Sequence, residues 1–87
     1  MREGLVSIIT PTYNCGKFIG ETIESVQRQT YTNWEMVIVD DCSKDRTKEI
    51  VKEYINKDAR IKYYCLKNNS GAAVARTRAM QLADGEY

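Results

Sequence analysis

Two rhythms of apolar residues alternate along this chain. Residues 5–10 (LVSIIT) and 34–39 (WEMVIV) are continuous apolar runs, the pattern of strands covered on both faces of a parallel sheet. Pro11 is expected to stop the first, because it cannot donate to a sheet ladder. Residues 17–29 change period. Phe18, Ile19, Ile23 and Val26, with Thr22 in part, fall on one side of an amphipathic helix, and Glu21, Glu24, Gln27 and Arg28 face outward. Asn14 stands where it can cap that helix. Gly20 inside it costs ~1 kcal/mol relative to Ala, so a packing contact is expected to hold it there. Residues 46–56 repeat the helical rhythm with Thr47, Ile50, Val51, Tyr54 and Ile55, and Ser43 or Asp45 can cap them.

The third strand, within RIKYYCLK, differs from the first two. Lys62 and Tyr64 alternate with Ile61, Tyr63 and Cys65, which predicts an edge strand with one solvated face. After the NNSG turn, residues 72–83 align Ala72, Ala75, Ala79, Leu82 and Ala83 on one side of a third helix. Their small size implies close packing on the sheet, and Gly85 is expected at C′. Strand and helix therefore alternate three times, which predicts a Rossmann-like α/β layer of mainly parallel strands with flanking helices. The closing GEY reads as the lead-in to a fourth strand, so the layer is expected to be truncated before it.

Composition narrows the partners. A chain of 87 residues with 43% hydrophobic and 29% charged residues is one globular domain at most. Its net charge of +1 and lack of a Lys/Arg block disfavour nucleic acid and anionic membrane surfaces. No apolar run approaches the ~20 residues that span a bilayer, and the six-residue apolar stretch near the start is too short for a signal-peptide core. Cys15, Cys42 and Cys65 are widely spaced and read as reduced cytosolic thiols. There is no histidine, which removes Ser-His and Cys-His catalysis.

What the pattern leaves unexplained is Asp40 beside Asp41, two like charges at the end of the second strand. In open parallel sheets ligands bind outside the carboxyl ends of the strands. A carboxylate there accepts hydrogen bonds from neutral donors and rejects anions, as in a nucleoside pocket. The bland alternative is a helix cap or turn. The absence of G-x-G-x-x-G argues against a dinucleotide site.

PTYN, SVQRQTY, VIVDDCSKD, NNSGAAVAR and ADGEY occur in an order that resembles the N-terminal part of the family-2 glycosyltransferases, inverting enzymes of the GT-A fold. The resemblance covers essentially the whole chain. It implies transfer of a sugar from a nucleotide-sugar, a UDP-sugar by preference, to a glycan or lipid-linked acceptor in polysaccharide biosynthesis. This segment would recognise the nucleotide. Pro11, Thr12 and Tyr13 would lie along the base, Asp41 would accept the uracil N3–H, and Asp40 would support the loop. Arg76 would sit near the base and diphosphate, whereas Thr77 departs from the family's usual Asn.

The same resemblance implies a divalent cation, Mn²⁺ or Mg²⁺, whose ligands fall outside this chain together with the catalytic base, so the segment alone is expected to be inactive. The location implied is the cytoplasm, at a membrane for the intact protein. The apolar first strand, left as an edge, predicts self-association. The competing reading is a nucleoside-binding or regulatory module without transferase activity. A receiver-like domain fits less well, because its acidic pair follows the first strand. A nucleotidyltransferase lacks its Gly-rich loop here.

Overall fold

The computed structural model describes residues 4–85. Three parallel strands, β1 (Val6–Thr12), β2 (Trp34–Asp40) and β3 (Ile61–Cys65), lie in the order β1-β2-β3. The helices α1 (Ile19–Gln27), α2 (Thr47–Lys57) and α3 (Ala72–Leu82) connect and follow them.

Strand alternation divides the core in two. Trp34, Met36 and Ile38 meet Ile19, Ile23 and Val51 from α1 and α2, and Ile61 closes this layer. Val37 and Val39 point the other way, onto Ala75 and Ala79 of α3, all four fully buried. The expected small-residue packing of α3 is therefore present, while the side chain of Ala72 lies outside the described ones. With every residue of β2 buried, its near-continuous apolar run is that of a strand covered on both faces.

Several local expectations change. β1 runs through Pro11, which pairs with Val39. The Val6 N–H donates to Asn33 O and the Thr12 O accepts from Asp41 N, so even-numbered residues of β1 turn their backbone groups toward β2. Pro11 thus turns its missing donor to the outer edge, where no ladder bond is needed. The first helix starts at Ile19, leaving Phe18 exposed, and Asn14 does not cap it. Asp45 does serve α2, accepting from Thr47 N at 3.0 Å, whereas Ser43 turns to Asp40. Gly20 is explained by Tyr54, whose hydroxyl oxygen would lie 3.2 Å from an added Cβ.

Two features were not legible in the pattern. Glu35 is 1% exposed. It accepts hydrogen bonds from Lys62 Nζ at 2.7 Å and from Ser7 Oγ and Asp84 N, both at 2.6 Å, a cluster joining all three strands to the segment after α3. Lys62 is thus drawn onto a buried carboxylate rather than left on a solvated face. The end of α3 also differs: Ala83 is extended and Gly85, not a C′ residue, forms a bridge. Its N–H reaches Ser7 Oγ at 2.8 Å, and an added Cβ would stand 2.8 Å from both Leu5 O and Ser7 N. The remaining residues of the expected fourth strand, Glu86 and Tyr87, lie outside the described ones.

The chain therefore steps from β1 outward to β3, crosses the opposite face as α3, and returns to the far side of β1 at Gly85. The order of the layer reverses at β1. Ligands of open α/β sheets bind at such a reversal, beyond the carboxyl ends of the strands.

Candidate functional site

A cleft of about 310 Å³ opens at that point, lined by Pro11, Thr12 and Tyr13 at the end of β1, Asp41 after β2, and Asn69, Gly71 and Ala75 around the start of α3. Its size falls at the lower end of small-molecule pockets.

Adjacent carboxylates need not share an environment when they leave a strand on opposite faces. Asp40 belongs to the α1/α2 side. Its Oδ1 accepts from Ser43 N at 2.9 Å and from the Ser43 hydroxyl, and its Oδ2 accepts from the Tyr63 hydroxyl. Burial, together with this bond to Asp40, pushes the Tyr63 phenol well above its ordinary range, so it stays a protonated donor. Asp41 belongs to the α3 side and is 4% exposed. Its Oδ1 accepts from Ser70 N at 2.6 Å and its Oδ2 from Gly71 N at 2.8 Å, so the carboxylate holds the loop that leads into α3. Gly71 adopts φ +96°, which favours glycine, and that conformation aims its N–H at Asp41.

An ionised carboxylate has roughly four lone-pair positions, and these backbone bonds use two of Asp41's. The group that faces the cleft is thus a fixed acceptor with capacity left. Beside it lies Tyr13, a residue 44% exposed. Thr12 is 5% exposed, and its Oγ1 finds no hydrogen-bond partner among the described residues. An unmet buried hydroxyl costs about 1–3 kcal/mol.

Of the residues singled out in the sequence, Pro11, Thr12, Tyr13 and Asp41 come together at the cleft. Asp40 is 1% exposed and turned to the other face. Arg76 is exposed on α3, one residue past the lining Ala75, and has no hydrogen bond or ion pair among the described residues. Sequence reading missed Asn69, Gly71 and Ala75. NNSG reads as a turn and as the start of the NNSGAAVAR motif, and Ser-Gly ahead of a small-residue helix is a usable sign that backbone N–H groups approach a neighbour closely.

A divalent cation does not fit the carboxylates present. Asp40 and Asp41 face opposite sides of the sheet, so they cannot share an ion, and no group of three or more His, Cys, Asp or Glu side chains gathers among the described residues. Nor is any helix among them long and apolar enough to cross a membrane. The three cysteines are free.

Residues 7–87 match the family model for glycosyl transferase family 2. The chain is 51% identical over 83 residues to TuaG of Bacillus subtilis, a protein named as a teichuronic acid biosynthesis glycosyltransferase, covering 95% of this chain and 33% of TuaG. It is 44% identical over its full length to the Escherichia coli UDP-Glc:alpha-D-GlcNAc-diphosphoundecaprenol beta-1,3-glucosyltransferase WfgD, of which it covers 34%. The chain thus spans about a third of these relatives' length. Among solved structures, Staphylococcus aureus TarS residues 1–349 in complex with UDP superposes with a TM-score of 0.86 at 42% identity, covering 93% of this chain and 25% of that one. The mannosyltransferase PcManGT of Pyrobaculum calidifontis, in complex with GDP-Man and Mn²⁺, superposes with a TM-score of 0.86 at 29% identity over the same shares. The α/β layer is that of the GT-A fold.

Proposed function

Because the chain belongs to glycosyl transferase family 2, we propose that it is the nucleotide-recognising part of an inverting glycosyltransferase that takes its sugar from a UDP-sugar. The observation that carries this reading is Asp41, a buried acceptor held by Ser70 and Gly71 at the mouth of the cleft, with the Tyr13 ring beside it. Uracil presents one ring N–H, at N3, and a flat face. Asp41 accepts the former and Tyr13 stacks on the latter, while the unpartnered Thr12 hydroxyl gains a bonding group. Arg76, exposed on α3 next to the lining Ala75, is the basic residue this reading assigns to the diphosphate.

The solved neighbours, one in complex with UDP and one with GDP-Man and Mn²⁺, support a nucleotide as the ligand of this cleft. The named reaction of WfgD supports a lipid-linked acceptor. The divalent cation takes ligands other than Asp40 and Asp41, and no catalytic residue is assigned to this segment. The reading puts the work at the cytoplasmic face of a membrane. Self-association through the outer edge of β1 belongs to the same reading, although Gly85 already covers the start of that edge.

Titration with uridine, 3-methyluridine, UDP and UDP plus Mn²⁺, by calorimetry or NMR, tests it. A hydrogen bond to a charged group is worth about 1.5–3 kcal/mol, so 3-methyluridine should bind at least about tenfold more weakly than uridine. Uridine and UDP should bind alike, with little effect of Mn²⁺. Equal binding of uridine and 3-methyluridine sinks the Asp41 assignment. Asp41→Asn must turn its amide toward one of the two loop N–H groups, and should lose both the uridine preference and loop order.

A further inference from the structure

Resting on the reading above, we infer that Asp40, Ser43 and Tyr63 are positioning residues: with Asn14 they form a hydrogen-bonded chain that sets Tyr13 against the base. Tyr13 is a cleft residue that packing does not fix. It is 44% exposed and lies in the loop between β1 and α1. What holds that loop is the next residue. Asn14 has φ +50°, a left-handed conformation that an L-residue adopts at a cost, and two bonds keep it there. Its N–H donates to Ser43 Oγ at 2.8 Å, and its Oδ1 accepts from Lys44 N at 2.8 Å. Gly16 N adds a third tie, to Asp45 Oδ2 at 3.0 Å.

The polarity of the chain is fixed from its buried end. The Tyr63 hydroxyl donates to Asp40 Oδ2. Ser43 N and the Ser43 hydroxyl donate to Asp40 Oδ1. A serine hydroxyl has one proton, so once Asp40 takes it the Ser43 oxygen presents only lone pairs to the Asn14 N–H. A buried carboxylate at the end of β2 thereby determines which way a surface loop can bond. The second acid of the pair meets the ligand, and the first aligns the stacking residue from the opposite face of the sheet. Asp40 thus acts on the cleft without lining it.

The test uses the whole chain with Ser43→Ala, Ser43→Thr and Tyr63→Phe, each alone and with Tyr13→Ala, titrated with uridine. Amide hydrogen exchange at Asn14 and Val39 is followed in parallel. Ser43→Ala is expected to weaken uridine about five- to tenfold and to speed Asn14 exchange at least fivefold, with Val39 unchanged. Ser43→Thr keeps the hydroxyl and should restore both. In the Tyr13→Ala background Ser43→Ala should have no further effect on affinity, because the chain acts only through Tyr13. An equal loss with and without Tyr13, or unchanged Asn14 exchange, overturns the inference. Should Ser43→Ala prevent folding, Tyr63→Phe, which removes one oxygen, carries the same predictions at smaller amplitude. If the parent chain binds no uridine, the nucleotide reading falls. Asn14 exchange still decides on the chain of bonds.

Discussion

Removing the charge of Glu35 gives the sharpest test of how this small layer is held together. The carboxyl lies 1% exposed among Lys62, Ser7 and Asp84. Burial alone would raise its pKa, but the bonds from Lys62, Ser7 and the Asp84 N–H outweigh that and lower it from 4.5 to about 2. Each pH unit is worth about 1.4 kcal/mol, so the depression amounts to about 3 kcal/mol of folding free energy. The folded pKa is the lower one, so this stability is fully present above pH 4.5 and is lost as pH falls toward 2. Lys62 gives the mirror image: its pKa is raised, so its share is complete below 10.5 and fades as pH rises through the folded value.

Glu35→Gln keeps the shape and removes the charge. Lys62 retains Asp84 at 3.6 Å and some solvent, so it is not left stranded, and the expected loss at pH 7 is about 2–3 kcal/mol. A chain of this length has roughly 4–13 kcal/mol in total, so the loss is large. Urea unfolding followed by the fluorescence of Trp34, which is 2% exposed, reads it directly. At pH 2.5 the gap between parent and variant should shrink to about 1 kcal/mol. Asp58, whose pKa Arg60's side-chain bond also lowers to about 2, titrates in the same window but is present in both proteins and cancels. A gap that stays constant from pH 7 to 2.5 would refute the charge as its source and leave only packing.

Two backbone predictions accompany it. Gly71→Ala places a side chain at φ +96°, which costs about 1–3 kcal/mol and turns the residue 71 N–H from Asp41. Uridine affinity should fall with Tm, and unchanged affinity would separate the loop from the base site. Gly85→Ala brings a Cβ within 2.8 Å of Leu5 O and Ser7 N, backbone atoms that cannot swing aside, so thermal unfolding should show a loss of about 1–3 kcal/mol. A neutral result would mean that the segment beside β1 is not seated there in solution.

The order of elements was legible because each carries its own period. Two continuous apolar runs, one alternating run and three helical stripes became β1, β2, β3 and α1–α3 with ends shifted by a few residues. From the residues alone the cleft was legible only as the acidic pair at the end of the second strand; Tyr13 entered through the family resemblance. Periodicity reports only which residues share a face. It contains no distance between faces, and the decisions that rested on such distances were hidden. Glu35 reads as a polar residue in an apolar run until Lys62 and Asp84, 27 and 49 residues away, are brought onto it. The two adjacent aspartates read as one repelling pair. Only the stacking of α3 on one side of β2 and Tyr63 on the other gives each carboxylate its own donors, because strand geometry sends neighbours to opposite faces and folding decides what waits there.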